Sequence, residues 1–180
     1  MAVPVLMVPG WQNSGPGHWQ SLWEARIKGA LRAEMPNWDF PHRESWVDAL
    51  EDAVASSWRE TQTPPVLVGH SVGCMAIVHW AARFERPVAG ALLVAPADVE
   101  RAGCPEALRD FAPVPRQRLP FPSRVVAADD DPYLDEAVAR SLAASWGSAF
   151  TLVPGGGHLN TASGYGDWPA GEALLQEWLR

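Results

Sequence analysis

Gly69-His70-Ser71-Val72-Gly73 places a hydroxyl between two glycines, the G-x-S-x-G spacing of a nucleophile on a sharp strand-to-helix turn. A serine hydroxyl is a weak nucleophile, so it needs a base to take its proton and a turn that lifts it clear of the sheet. The flanking glycines lack the Cβ atoms that would collide with the neighbouring strand and helix. The context fits that demand: the apolar run Val66-Leu67-Val68 precedes Gly69, and a helical pattern from about Val72 to Phe84 follows. A chance match in a glycine-containing loop carries no such requirement on both sides.

The base is expected to be His158. It follows the apolar run Phe150 to Val153 on the loop Pro154-Gly155-Gly156-Gly157, whose three glycines let the chain bend back toward Ser71. The bland alternative is a surface histidine. His18, His42, His70 and His79 have weaker claims, since His70 lies inside the turn itself and His79 falls in mid-helix. Two places offer an acid in the order Ser…Asp…His. Asp129, Asp130 and Asp131 follow the run Arg124 to Ala128, and Asp98 follows Ala91 to Val94. Asp131 is favoured because Pro132 behind it fixes a turn and removes a competing donor, with Asp130 and Asp98 as alternatives and Asp129 read as turn chemistry. Backbone N–H groups of Trp11, after the first apolar run, and of Val72, after the nucleophile, are expected to receive a developing oxyanion. Trp11, Trp19 and His70 are candidate pocket residues. No histidine–carboxylate spacing suits zinc, and Gly155-Gly156-Gly157 is no phosphate cradle, so no metal or cofactor is expected. Cys74 is expected to be buried and inert, and Cys104 exposed.

These residues need a scaffold that ends several strands at one edge. Runs of strand length recur at Val3–Val8, Val66–Val68, Ala91–Val94, Arg124–Ala128 and Phe150–Val153, with Trp38–Phe40 as a sixth. Continuous apolar runs bounded by turn residues suit strands buried on both faces. Helical patterns alternate with them: Trp19 to Leu31, a second helix capped by Ser45, Val72 to Phe84, Leu134 to Trp146 stopping at Gly147, and Ala170 to Leu179. The alternation predicts a three-layer α/β/α sandwich around a mostly parallel six-stranded sheet. Between Ala95 and Ser123 a short helix near Pro105–Phe111 and the four prolines of Ala112–Ser123 leave no room for a separate cap.

The chain has 180 residues, 47% of them hydrophobic and 19% charged, with a formal net charge of −7. That length and composition predict one domain over 1–180 and exclude general disorder. The acidic balance without a basic cluster argues against nucleic acid and anionic membrane. No apolar run reaches the roughly 20 residues of a membrane span. Met1-Ala2-Val3-Pro4 lacks a basic n-region, and two cysteines make no disulfide framework, so a cytoplasmic location is expected.

Four stretches carry a family resemblance: VLMVPGWQNSGPGHWQSLWE, VGHSVGCMA, VVAADDDPY and PGGGHLNTASGYGDWP. Across essentially its whole length the chain resembles the alpha/beta-hydrolase branch typified by retinoblastoma-binding protein 9 and bacterial YdeN. The resemblance implies a minimal alpha/beta-hydrolase fold without a cap domain, with Ser71 as nucleophile, Asp131 as acid and His158 as base. It further implies a serine hydrolase acting on a small carboxylic ester or peptide-like acyl substrate. No retinoblastoma-type partner is expected, because the L-x-C-x-E sequence has no counterpart here. The rival expectations are a catalytically silent binding module on the same fold and an acyltransferase or perhydrolase using the same residues.

Overall fold

The computed structural model describes residues 2–180. In chain order the main elements are β1 (Val5–Val8), α1 (Trp19–Arg26), β2 (Ala30–Arg32), α2 (Arg43–Thr61), β3 (Val66–His70), α3 (Val72–Arg83), β4 (Gly90–Val94), β5 (Ser123–Ala128), α4 (Glu136–Trp146), β6 (Ala149–Val153) and α5 (Pro169–Ala173). The six strands form one sheet in the order β2-β1-β3-β4-β5-β6, and each neighbouring pair is parallel. Every strand therefore exits at the same edge, which is where side chains from distant parts of the sequence can meet.

Alternation along the strands splits the core in two. Leu6, Val8, Leu67, Leu93, Val125 and Ala127 pack against α2, α3 and α4, with Trp46, Trp80 and Trp146 filling the space between. Val5, Met7, Val68, Leu92, Val94 and Val126 face the opposite layer, where Trp19, Trp23, Trp168 and Trp178 sit together. The tryptophan content thus has a physical use. The second layer has only α1 and a short C-terminal segment to cover the sheet, and each buried indole covers more area than an aliphatic side chain could.

Four elements differ from the sequence reading. The sixth strand is Ala30–Arg32, whereas Trp38–Phe40 is an irregular loop. Helix α1 stops at Arg26 because the chain turns at Gly29, whose φ of +84° closes the turn, and Leu31 then lies in β2 instead of on a helix face. Helix α2 begins at Arg43, two residues before Ser45. Its first N–H is capped from a distance, by the Asp110 carboxylate at 2.7 Å, while Ser45 donates to the His42 carbonyl. The C-terminal helix ends at Ala173 and tightens into a 3-10 turn over Leu174–Glu177. Gly147 caps α4 in the left-handed conformation, as its position predicts.

No cap interrupts the path from β4 to β5. The segment holds a 3-10 turn at Glu106–Phe111 and otherwise runs as coil. It is pinned to α4, where the Trp146 indole donates to the Pro115 carbonyl and Leu119 N–H donates to the Trp146 carbonyl. Among the described residues no helix is long and apolar enough to cross a membrane.

Candidate active site

Ser71 sits between β3 and α3 with φ 57° and ψ −124°, a conformation an L-residue holds only when its surroundings enforce it. The enforcement is visible. Ser71 N–H donates to the Val94 carbonyl, and its carbonyl accepts from Cys74 and Ala97 N–H. A Cβ on Gly73 would stand 2.1 Å from the Val8 carbonyl oxygen, so α3 starts jammed against the exit of β1. A Cβ on Gly69 would meet the Ile77 side chain at 2.8 Å. Gly73 is thus required by backbone approach, while Gly69 packs tightly against Ile77 and the Cys74 backbone at 3.1 Å, and the strain lifts the Ser71 hydroxyl above the strand ends.

His158 reaches that hydroxyl from the loop after β6. The Ser71 hydroxyl donates to His158 Nε2 at 3.0 Å. On the other side of the ring, Nδ1–H donates to Asp131 at 2.9 Å to Oδ2 and 3.1 Å to Oδ1. The carboxylate accepts at Nδ1, so Nε2 is left as the acceptor that a base requires. Asp131 and His158 are each only 7% exposed. Asp131 Oδ1 also accepts the Tyr133 N–H at 2.9 Å, which fixes the carboxylate on its own turn.

The other two aspartates serve the same loop. Asp129 accepts the Gly155 N–H at 2.8 Å, and Asp130 accepts the Gly157 N–H at 2.7 Å. Gly155 and Gly157 have φ of +65° and +57°, which let the loop present those amides to the carboxylates. The run Asp129-Asp130-Asp131 therefore holds the histidine loop with two residues and the imidazole with the third. Asp98, the alternative acid, lines the cavity but bonds the Glu100 N–H instead of the histidine.

Beneath the imidazole, His70 Nε2–H donates to the His158 carbonyl at 2.9 Å, and the Trp19 indole donates to the Leu159 carbonyl at 2.8 Å. Burial first, then the neighbouring His158 and His18, hold His70 well below the usual histidine range. Burial, aided by Arg32 and His158, lowers His18 to about 4. Both rings are neutral near pH 7. Burial pushes the Cys74 thiol upward, as expected of an inert core cysteine, and its Sγ contacts the Val94 carbonyl.

The loop after β1 closes the other side. A Cβ on Gly10 would lie 3.0 Å from Ser71 Cβ, so the chain passes directly over the serine just before Trp11. Trp11 is fixed by its indole donating to the Asp39 carbonyl, and Gln12 N–H donates to the Trp38 carbonyl. Gln20, fully buried, ties the whole loop down: its amide donates to the Val68 carbonyl at 2.9 Å and accepts the Ser14 hydroxyl at 2.6 Å. Arg32 adds bonds to Asn13 and the Ser14 carbonyl. This polar network has a trace in the sequence, the polar Gln20 between Trp19 and Trp23, but no sequence periodicity assigns it.

A cavity of about 390 Å³ opens above Ser71, lined by Trp11, His18, His70, Ala97, Val99 and Leu108 among others. Trp11 and His70 line it as expected. Trp19 does not: it has no exposure and packs edge-on against Trp168 in the inner core. Its predecessor His18 lines the cavity instead. Cys104 is buried at the cavity wall, not exposed, because the turn Arg101–Cys104 folds it inward. Among the described residues no group of three or more histidine, cysteine or carboxylate side chains could hold a metal ion.

Comparison with known proteins places the chain in context. A family model described as "Serine hydrolase" matches residues 5–177. A solved structure described as a YdeN-like hydrolase, from Pectobacterium atrosepticum, superposes with a TM-score of 0.85 at 29% identity, covering 98% of this chain and 90% of that one. The ydeN gene product from B. subtilis superposes with a TM-score of 0.76 at 23% identity, covering 98% of both chains. A thermophilic esterase from Thermogutta terrifontis shares the fold at 17% identity and a TM-score of 0.68, covering 99% of this chain and 89% of that one. No curated protein matches the sequence.

Proposed function

The chain belongs to the serine hydrolase family, and on that premise we propose that it cleaves a small carboxylic ester through a Ser71–His158–Asp131 triad. The observation that carries the reading is the unbroken hydrogen-bond relay from the Ser71 hydroxyl through the imidazole to the buried Asp131 carboxylate. In the reaction, Ser71 Oγ attacks the ester carbonyl as His158 Nε2 takes its proton, and Asp131 stabilises the imidazolium and holds the ring. The tetrahedral oxyanion lies against the N–H groups of Trp11 and Val72. The Val72 amide opens α3, so the helix dipole adds to the field on the negative oxygen. His158 returns the proton to the leaving alkoxide, and water, deprotonated by the same imidazole, releases the acid from the acyl-serine.

The reading is supported by elbow strain, relay distances and burial together, and a fluorophosphonate probe tests it with a panel of p-nitrophenyl esters. Wild type should be labelled at Ser71 and turn over a short ester. Ser71→Ala should do neither. A folded wild-type protein that resists the probe and cleaves no ester would return the chain to the class of silent binding modules.

A further inference from the structure

The cavity above Ser71 is lined by one residue of fixed positive charge, Arg101, and one carboxylate beside the triad, Asp98. Most arginines of the chain are committed elsewhere: Arg26, Arg32, Arg83, Arg86, Arg109, Arg116, Arg124 and Arg140 each pair with a carboxylate. Arg101 has no such pair among the described residues. It is nevertheless held in place. Its guanidinium carbon lies 5.4 Å from the centre of the Tyr133 ring, and the Tyr133 ring meets the His158 ring edge-to-face at 4.8 Å. Its Nη1 passes over Gly103, where a Cβ would come within 2.7 Å. Tyr133 thus spaces the cation from the base, at a separation no greater than about 10 Å.

We infer that Arg101 is a specificity-determining residue that selects esters carrying a carboxylate a few carbons from the scissile carbonyl. The inference rests on the ester-hydrolase reading above. A guanidinium fork matches a carboxylate with two parallel hydrogen bonds, and a cation stacked on an aromatic ring loses little freedom in making them. The cavity, at about 390 Å³, holds a short acyl chain with a terminal anion. Asp98 does not quench the site by direct pairing: its Oδ1 accepts the Glu100 N–H, and no Asp98–Arg101 ion pair forms. The chain as a whole carries a net charge of −7 and disfavours an anionic substrate at long range. A preference for anionic esters would therefore trace to a local cation.

The test compares kcat/KM for p-nitrophenyl butyrate, mono-p-nitrophenyl glutarate and 4-carboxyphenyl butyrate, which carry no carboxylate, one on the acyl side and one on the leaving group. The readout is each anionic ester's rate relative to the neutral one. Arg101→Gln should lower at least one of these ratios about 10- to 100-fold, Arg101→Lys should restore part of it, and Asp98→Asn should raise it. Ratios unchanged in Arg101→Gln overturn the proposal. A second arm needs no turnover: calorimetric titration of monophenyl glutarate into Ser71→Ala and Ser71→Ala/Arg101→Gln. A Kd about tenfold weaker in the double variant supports the site, whereas equal affinities, or no binding to Ser71→Ala, overturn it. If wild type cleaves none of the esters, the hydrolase reading falls, and the titration still decides whether Arg101 holds an anion.

Discussion

Ser71 has no substitute in its neighbourhood: the strained turn offers one hydroxyl to His158 Nε2. Ser71→Ala should keep the fold and lower turnover by about three to six orders of magnitude. Residual activity near the wild-type rate would move the nucleophile elsewhere. Asp131→Asn should cost on the order of 10⁴-fold, because an amide facing Nδ1 favours the wrong tautomer. Asp98→Asn should cost far less on a neutral ester, and the reverse ranking of the two would reassign the acid. Ser71, His158 and Asp131 were legible in the sequence because each follows an apolar run with its own turn chemistry. The tasks of Asp129 and Asp130 were not, since their partners Gly155 and Gly157 lie on another loop and only the fold brings them together. The exchange of Trp19 for His18 at the cavity wall is of the same kind. Whether the first turn of α1 aims residue 18 or 19 at the site depends on the phase of the helix against the sheet, and one residue turns it by about 100°.

At the scale of elements, the elbow works because α3 can start in contact with the end of β1. Gly73→Ala sets a Cβ against two backbone carbonyls, those of Val8 and Pro9, at 2.1 and 2.7 Å. The Val8 carbonyl lies in the strand pairing of β1 with β3 and cannot rotate away without disturbing the sheet, so the helix must shift. The expected cost is about 3 kcal/mol, at the upper end for overpacking, with a matching loss of probe labelling. Gly155→Ala is the control: it has open space around it and pays only for φ +65°, about 1 kcal/mol. Urea midpoints of the two variants should rank in that order, and equal midpoints would mean that the contact between α3 and β1 is soft. The coil between β4 and β5 sets another expectation. With no cap above it, the cavity should prefer acyl chains of about two to six carbons and show no rate jump at a lipid interface. An optimum at twelve or more carbons in a p-nitrophenyl ester series would require a covered tunnel. The strands at β1, β3, β4, β5 and β6 were readable from apolar runs and their turns. Strand β2 was not: at three residues, with Leu31 half exposed, it has neither the length nor the burial to stand out from the helix before it.

For the molecule as a whole, the buried neutral histidines set an acid limit. Burial lowers His18 to about 4 and holds His70 well below the usual histidine range, against about 6.5 in an unfolded chain. Below pH 6.5 the unfolded state binds protons at these rings that the folded state refuses, so stability falls as pH drops. By pH 5 the loss at His18 should reach roughly 2 kcal/mol, and it stops growing once pH passes about 4. Thermal melts at pH 7 and 5 should differ, and His70→Asn should flatten the difference. Identical melting temperatures in wild type would show that both rings accept protons in place. The distribution of indoles has a spectroscopic consequence. Of ten tryptophans, seven are buried, including the Trp19–Trp23–Trp168 group, while Trp11 is the exposed one and lines the cavity. Emission quenched by iodide therefore comes chiefly from the wall of the cavity above Ser71. An acyl group seated against Trp11 shields it from iodide, so occupancy of the site can be followed by fluorescence without any added dye.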